Sequence, residues 1–138
     1  MLAVGEYLLG HVDYWMQRMT TGLAGGVGCS HQEMCGALSG GVLLIGALHG
    51  RTTPTEDDRE CQKLAAEYRE RFAQELGATR CCDLRANGCG SGGTQPCSTL
   101  VERAARILLQ VLAIEDEFEN TQEMCSDVQN NGRQGSNR

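Results

Sequence analysis

Apolar residues return at steps of three and four through Cys61, Leu64, Ala65, Tyr68, Phe72 and Leu76, leaving Glu67, Arg69, Glu70 and Arg71 on the opposite side. That period fits a helix with one buried face and does not fit a half-buried strand, whose side chains repeat every second residue. A second stripe runs through Leu100, Val101, Ala104, Ile107, Leu108, Val111, Leu112 and Phe118, and a third through Leu8, Leu9, Val12, Trp15, Met16 and Met19. No stretch alternates β-branched residues with a period of two, so the chain reads as all-α.

Capping chemistry sets the boundaries. Ser/Thr-x-x-Glu signatures at Ser30–Glu33, Thr53–Glu56 and Thr99–Glu102 each offer reciprocal caps for the unpaired amides of a helix start. They predict helices over residues 31–48, from Pro54 to the stop at Gly77, and from Leu100 to about Glu119. Gly36, Gly40, Gly41 and Gly46 interrupt the first of these, each costing roughly 1 kcal/mol of helix propensity against Ala. Close backbone packing is the compensation to look for, against a neighbour in the same chain or against a second copy in a homodimer. The expected architecture is a compact bundle of about four main helices with a Gly-rich, Cys-containing loop before the last. Residues 1–126 form one domain and residues 127–138 a polar, flexible tail.

A domain of 138 residues buries enough apolar surface to dispense with disulfide staples, so its eight cysteines call for another explanation. The first ten residues lack the basic start and small-residue cleavage pattern of a secretory signal, which points to a cytoplasmic protein. Structural disulfides are uncommon there. The longest apolar stretch, residues 40–48, is about half of the roughly 20 residues that cross a bilayer. A net charge of −6 with scattered Lys and Arg disfavours nucleic acid, and an aromatic content of 4% leaves few platforms for a flat organic cofactor.

The cysteines therefore carry the chemistry. Cys35 falls near the start of the 31–48 helix, where the positive end of the helix dipole favours a thiolate; the competing reading is a small buried hydrophobe. His31 lies four residues before it, a spacing that suits two metal ligands on one helix face. Cys81 and Cys82 follow the Gly77 stop, and because neighbouring side chains point apart, only one of them is expected to serve a site. Cys89 and Cys97 flank the Gly-rich loop, Cys61 sits on an apolar stripe and reads as core, and Cys29 and Cys125 are lesser candidates. No C-x-x-C occurs, which weighs against a zinc ribbon or a thioredoxin-type site, whereas iron-sulfur ligation tolerates dispersed thiolates. Gly25-Gly26-Val27-Gly28 lacks the Lys-Ser/Thr of a phosphate loop.

Gly25-Gly26-Val27-Gly28, Cys35-Gly36-Ala37-Leu38-Ser39-Gly40, Gly77-Ala78-Thr79-Arg80-Cys81-Cys82-Asp83-Leu84 and Cys97-Ser98-Thr99-Leu100-Val101 follow one another in an order that resembles the redox-active family named for its C, GCAxxG, C, C pattern. The resemblance covers residues 3–112. It implies redox chemistry at Cys35, Cys81 and Cys97 with Cys82 or Cys61 nearby, in the first place as an iron-sulfur site and otherwise as cycling between thiol and disulfide, with a redox protein as partner. The first motif Cys, expected before Ala3-Val4, is absent, and Cys29, Cys61, Cys82 or a partner subunit could take its place. A different class of reading is a non-catalytic assembly module stabilised by zinc on Cys35, Cys81, Cys97 and Cys61.

Overall fold

Over residues 2–90 and 95–113, which the computed structural model describes, the chain forms α1 (Leu2–Leu9), α2 (Tyr14–Thr21), α3 (Gly36–His49), α4 (Arg59–Leu76), α5 (Cys81–Ala86) and α6 (Cys97–Val111). No strand occurs among these residues, and α3, α4 and α6 pack against one another as the bundle. No helix among them is long and apolar enough to cross a membrane. Phe118, Cys125, the predicted end of the last helix near Glu119 and the predicted tail all lie outside the described residues.

The stripes of α4 and α6 are the core faces their spacing predicts. Tyr68 and Phe72 are completely buried, Leu76 is buried beside them, and Cys61, Leu64 and Ala65 are half-buried at the margin. Leu100, Ala104, Ile107, Leu108 and Val111 supply the facing surface of α6. Gly77 ends α4 in the left-handed conformation at φ 85°, with its amide on the Ala73 carbonyl.

The boundaries depart from the predicted ones for local reasons. Glu56 accepts from the Thr52 amide at 2.8 Å and from the hydroxyls of Thr52 and Thr53, so these groups close a turn instead of capping a helix. Helix α4 starts only at Arg59. Pro96, extended at φ −67° and ψ 153°, launches α6 at Cys97, which places Thr99 inside the helix and not at its cap. The N-terminal stripe is two helices: Gly10 turns the chain at φ 72°, and the Asp13 carboxylate caps α2 through the Trp15 and Met16 amides at 2.7 and 2.9 Å. From that stripe only Val12 is buried, whereas Trp15 and Met19 are 67% and 69% exposed, so the stripe is not a core face.

Two of the α3 glycines have clear steric causes, and both face the same chain. A Cβ on Gly41 would lie 2.3 Å from the Tyr68 ring, and one on Gly36 would lie 2.8 Å from the Leu23 carbonyl oxygen. With its ring against Gly41, Tyr68 turns its hydroxyl to the carbonyls of Ala37 at 3.4 Å and Ala104 at 3.2 Å. A Cβ on Gly46 meets nothing within 4 Å, and no contact explains that glycine.

These differences predict opposite outcomes within one helix. In urea denaturation Gly41→Ala lowers the unfolding free energy by about 1–3 kcal/mol through overpacking, and Tyr68→Phe lowers it by about 1 kcal/mol through loss of its hydrogen bonds. Gly46→Ala raises it by about 0.5–1 kcal/mol, because open space leaves only the gain in helix propensity.

Candidate functional site

Helices α3 and α5 are brought together by a short antiparallel pairing of the segments that precede them. The Cys35 amide donates to the Thr79 carbonyl at 2.9 Å, the Cys81 amide donates to the Glu33 carbonyl at 2.9 Å, and Met34 and Arg80 form the bridge between them. The Arg80 guanidinium adds two bonds to the Gln32 carbonyl at 2.7 and 3.1 Å. Backbone donors that an isolated helix start leaves open are thereby used to set Cys35, opposite Thr79, and Cys81, opposite Glu33, diagonally across the Met34–Arg80 bridge.

This pairing also corrects the predicted start of the 31–48 helix. Gly25, Gly26, Val27, Gly28, Cys29 and His31 all have left-handed backbone, with φ between 58° and 70°, so a right-handed helix cannot begin at Ser30. The turn is closed by Gly28 on the Gly22 carbonyl at 2.8 Å, Cys29 on that of Ala24 at 2.9 Å and His31 on that of Gly25 at 2.8 Å. Only glycine fits at position 26, where a Cβ would stand 2.7 Å from the Cys81 Cβ and 3.0 Å from the Glu33 carbonyl oxygen. His31 is consequently off the helix, and its partner is Cys81 and not Cys35: Nδ1 lies 3.5 Å from the Cys81 Sγ, while Nε2 lies 3.4 Å from Nη1 of Arg85.

On the other side of the site, the Gly90 amide reaches the Gln95 carbonyl at 2.7 Å and the Gln95 amide that of Gly88 at 2.9 Å, tying the segment after α5 to the one before α6. Gly90 is buried with φ 94°, and a Cβ there would come within 3.0 Å of the Cys97 Sγ. Cys97 is therefore held at the start of α6, against the loop.

Four thiols from these segments, Cys35, Cys81, Cys89 and Cys97, line one cavity of about 450 Å³, whose other walls include Val12, Met16, Leu23, Leu44, Leu84 and Leu100. Cys35 is buried, Cys81 and Cys89 are half-buried and Cys97 is exposed; each is a free thiol. Burial pushes the Cys35 thiol up, outweighing the Ala37 and Leu38 amides that pull it down, and negative charge at Cys97 or Cys89 would raise it further. Burial also raises the Cys81 thiol, with charge at Cys35 adding to the effect and the Arg85 guanidinium opposing it. Both thiols are thus predominantly protonated near neutral pH.

The remaining candidates sit elsewhere. Cys82, next to Cys81, turns its sulfur to the Asp83 carboxylate at 3.4 Å and is not part of the cavity wall, in keeping with the divergence of neighbouring side chains. Cys61 packs against the core from α4 and is also outside the cavity wall, and Cys29 is exposed in the left-handed turn. No group of three His, Cys, Asp or Glu side chains among the described residues is placed to hold a single metal ion. Cys89 and His31 were not singled out together with Cys81 by spacing; the glycine run before His31 is the one signal in the sequence that it lies off the helix.

The match to known proteins comes through one family pattern, described as "Putative redox-active protein (C_GCAxxG_C_C)", which covers residues 1–111. No curated protein and no solved structure matches the chain. With the pattern extending from the first residue to the end of α6 and across the whole cysteine-lined cavity, the chain belongs to the C_GCAxxG_C_C family.

Proposed function

We propose that this protein carries electrons as thiols, Cys81 and Cys35 passing two of them to an apolar disulfide that enters the cavity. One observation supports the reading above others: thiols from separate segments share a single cavity whose walls are mostly aliphatic. The Cys81 sulfur, as thiolate, attacks one sulfur of the incoming disulfide; that S–S bond breaks, and the departing thiolate takes up a proton. Cys35 then attacks the Cys81 sulfur of the mixed disulfide, gives up its own proton and releases the second thiol. Two cysteines are oxidised to one disulfide while one external disulfide is reduced to two thiols, so two electrons and two protons leave the protein.

The order of attack follows from exposure. Cys81 is half-open to the cavity and has a polar partner in His31, whereas Cys35 is buried and held in its thiol form. The half-open sulfur meets the substrate first, and the buried one resolves the intermediate. Cys97 and Cys89, at the same cavity, are available to exchange with that disulfide.

Peptide mapping of protein oxidised by a small aromatic disulfide should find the Cys35–Cys81 bond. Cys35→Ser should stop at a mixed disulfide on Cys81, while Cys61→Ser should behave as the parent. An iron-sulfur cluster on Cys35, Cys81 and Cys97, or zinc on the same thiols, is the competing outcome. Protein kept from oxygen and assayed for iron, acid-labile sulfide and zinc should hold each well below one equivalent, and a stoichiometric cluster would replace the thiol reading.

A pH dependence follows as well. Cys35 is raised above the ordinary thiol value of 9.0, so its contribution to stability is full below that pH and is lost as pH rises through the higher folded-state value. Tyr68, also raised by burial, acts in the same direction. Thermal melting of the reduced protein should show a loss of stability at alkaline pH that is shallower in Cys35→Ala.

A further inference from the structure

His31 stands between two groups with fixed hydrogen-bonding roles. On one side Nε2 is 3.4 Å from a nitrogen of the Arg85 guanidinium, which has donors and no acceptor. The imidazole nitrogen facing it must therefore present a lone pair. A neutral ring has only one N–H, and with Nε2 committed as acceptor that hydrogen is on Nδ1, 3.5 Å from the Cys81 sulfur.

From this geometry we infer that His31 is a catalytic hydrogen-bond donor to the Cys81 sulfur, and that Arg85 is a positioning residue that fixes the tautomer needed for it. Sulfur accepts a hydrogen bond far better as thiolate than as thiol, so an Nδ1–H aimed at Cys81 favours the attacking form. The pair differs from a thiolate–imidazolium pair, in which the ring itself takes the thiol proton. A proton on Nε2 would face the cation of Arg85, so the proton that leaves Cys81 goes to solvent and not to the ring.

The backbone is arranged to hold the ring there. His31 adopts φ 60°, a conformation L-residues seldom take, and its amide is tied to the Gly25 carbonyl at 2.8 Å. Arg85 lies on α5, one turn beyond Cys81 on the same helix, so the cation and the sulfur that flank the ring are carried by one element. Besides His31, the charged and titratable groups acting on the Cys81 sulfur are Arg85, Cys35, Cys97 and Cys82; of these four only Arg85 favours its thiolate.

That Cys81 is the attacking sulfur rests on the thiol chemistry proposed above, whereas the tautomer does not, and the two are read separately. Nitrogen-15 NMR of the fully reduced protein at neutral pH should show His31 neutral with its proton on Nδ1. Alkylation of Cys81 by iodoacetamide, followed by peptide mass spectrometry, should slow about tenfold in His31→Ala and in Arg85→Met. In Arg85→Met the ring should also lose its Nδ1–H preference, a change that a purely structural role for the arginine would not produce. A ring protonated on Nε2 alone, a doubly protonated ring, or an unchanged alkylation rate in either variant would overturn the assignment. Should the Cys35–Cys81 disulfide fail to form while these two readouts behave as stated, the electron-transfer reading falls and the His31 assignment stands.

Discussion

The bundle turns on one side chain, Tyr68, which is completely buried where α3, α4 and α6 meet. Its ring occupies the space left by the missing Cβ of Gly41, and its hydroxyl reaches a carbonyl on each of the other two helices. A phenol in that position has to be neutral and hydrogen-bonded, and burial pushes its ionisation well above the ordinary range. The geometry matters for the site because Ala37 lies within the first turn of α3, two residues after Cys35, and α6 carries Cys97 at its start. The same tyrosine thus ties together the two helices at whose starts Cys35 and Cys97 stand.

Beyond those helix starts, the site is assembled by backbone and not by side chains. Three residues on each of two extended segments are enough to fix Cys35 and Cys81 diagonally across one bridge, since each amide donates to the carbonyl opposite it, that of Thr79 or of Glu33. The glycine turn then presses against this pair so closely that position 26 has no room for a Cβ. Val27 is β-branched and left-handed, a conformation that costs about 1–2 kcal/mol, and it persists because the hydrogen bonds on either side of it determine the path of the chain. Strain of this kind, next to a cluster of thiols, is what a chain built only for stability would shed.

How much of this the sequence discloses depends on the range of the interaction. The stripes of α4 and α6 were legible to the residue, because burial along a helix follows its own period: Tyr68, Phe72, Leu76, Ile107 and Leu108 are all core. Helix starts were less so. Glu56 and Ser30 carry cap chemistry but use it in turns, since the same side-chain-to-amide bonds stabilise either structure. The N-terminal stripe misled for a related reason, as Trp15 and Met19 have helical spacing on a helix with no buried residue. For the site, family resemblance names Cys35, Cys81 and Cys97, the Gly-rich loop flanked by Cys89 and Cys97 points to Cys89 as well, and all four line the cavity. Pairing His31 with Cys35 presumed a continuous helix. The left-handed turn breaks it and carries the ring across to Cys81, a contact between residues fifty apart that no local pattern encodes.

Electrostatics explain why such a cavity would divide labour among its thiols. Charge on any one of Cys35, Cys89 and Cys97 raises the cost of charge on another, and aliphatic walls do little to screen it. Two thiolates at once are therefore disfavoured, and the sulfur that ionises is the one with the most help. Cys35 has the amides at the start of α3 but also the greatest burial, and burial prevails. Cys81 is less enclosed and faces both an imidazole and, through space, a guanidinium. Under the proposed exchange, the less enclosed Cys81 is then the sulfur that attacks and the deeper Cys35 the one that stays protonated until it resolves the intermediate, with one strained segment of the chain bringing a histidine to the first.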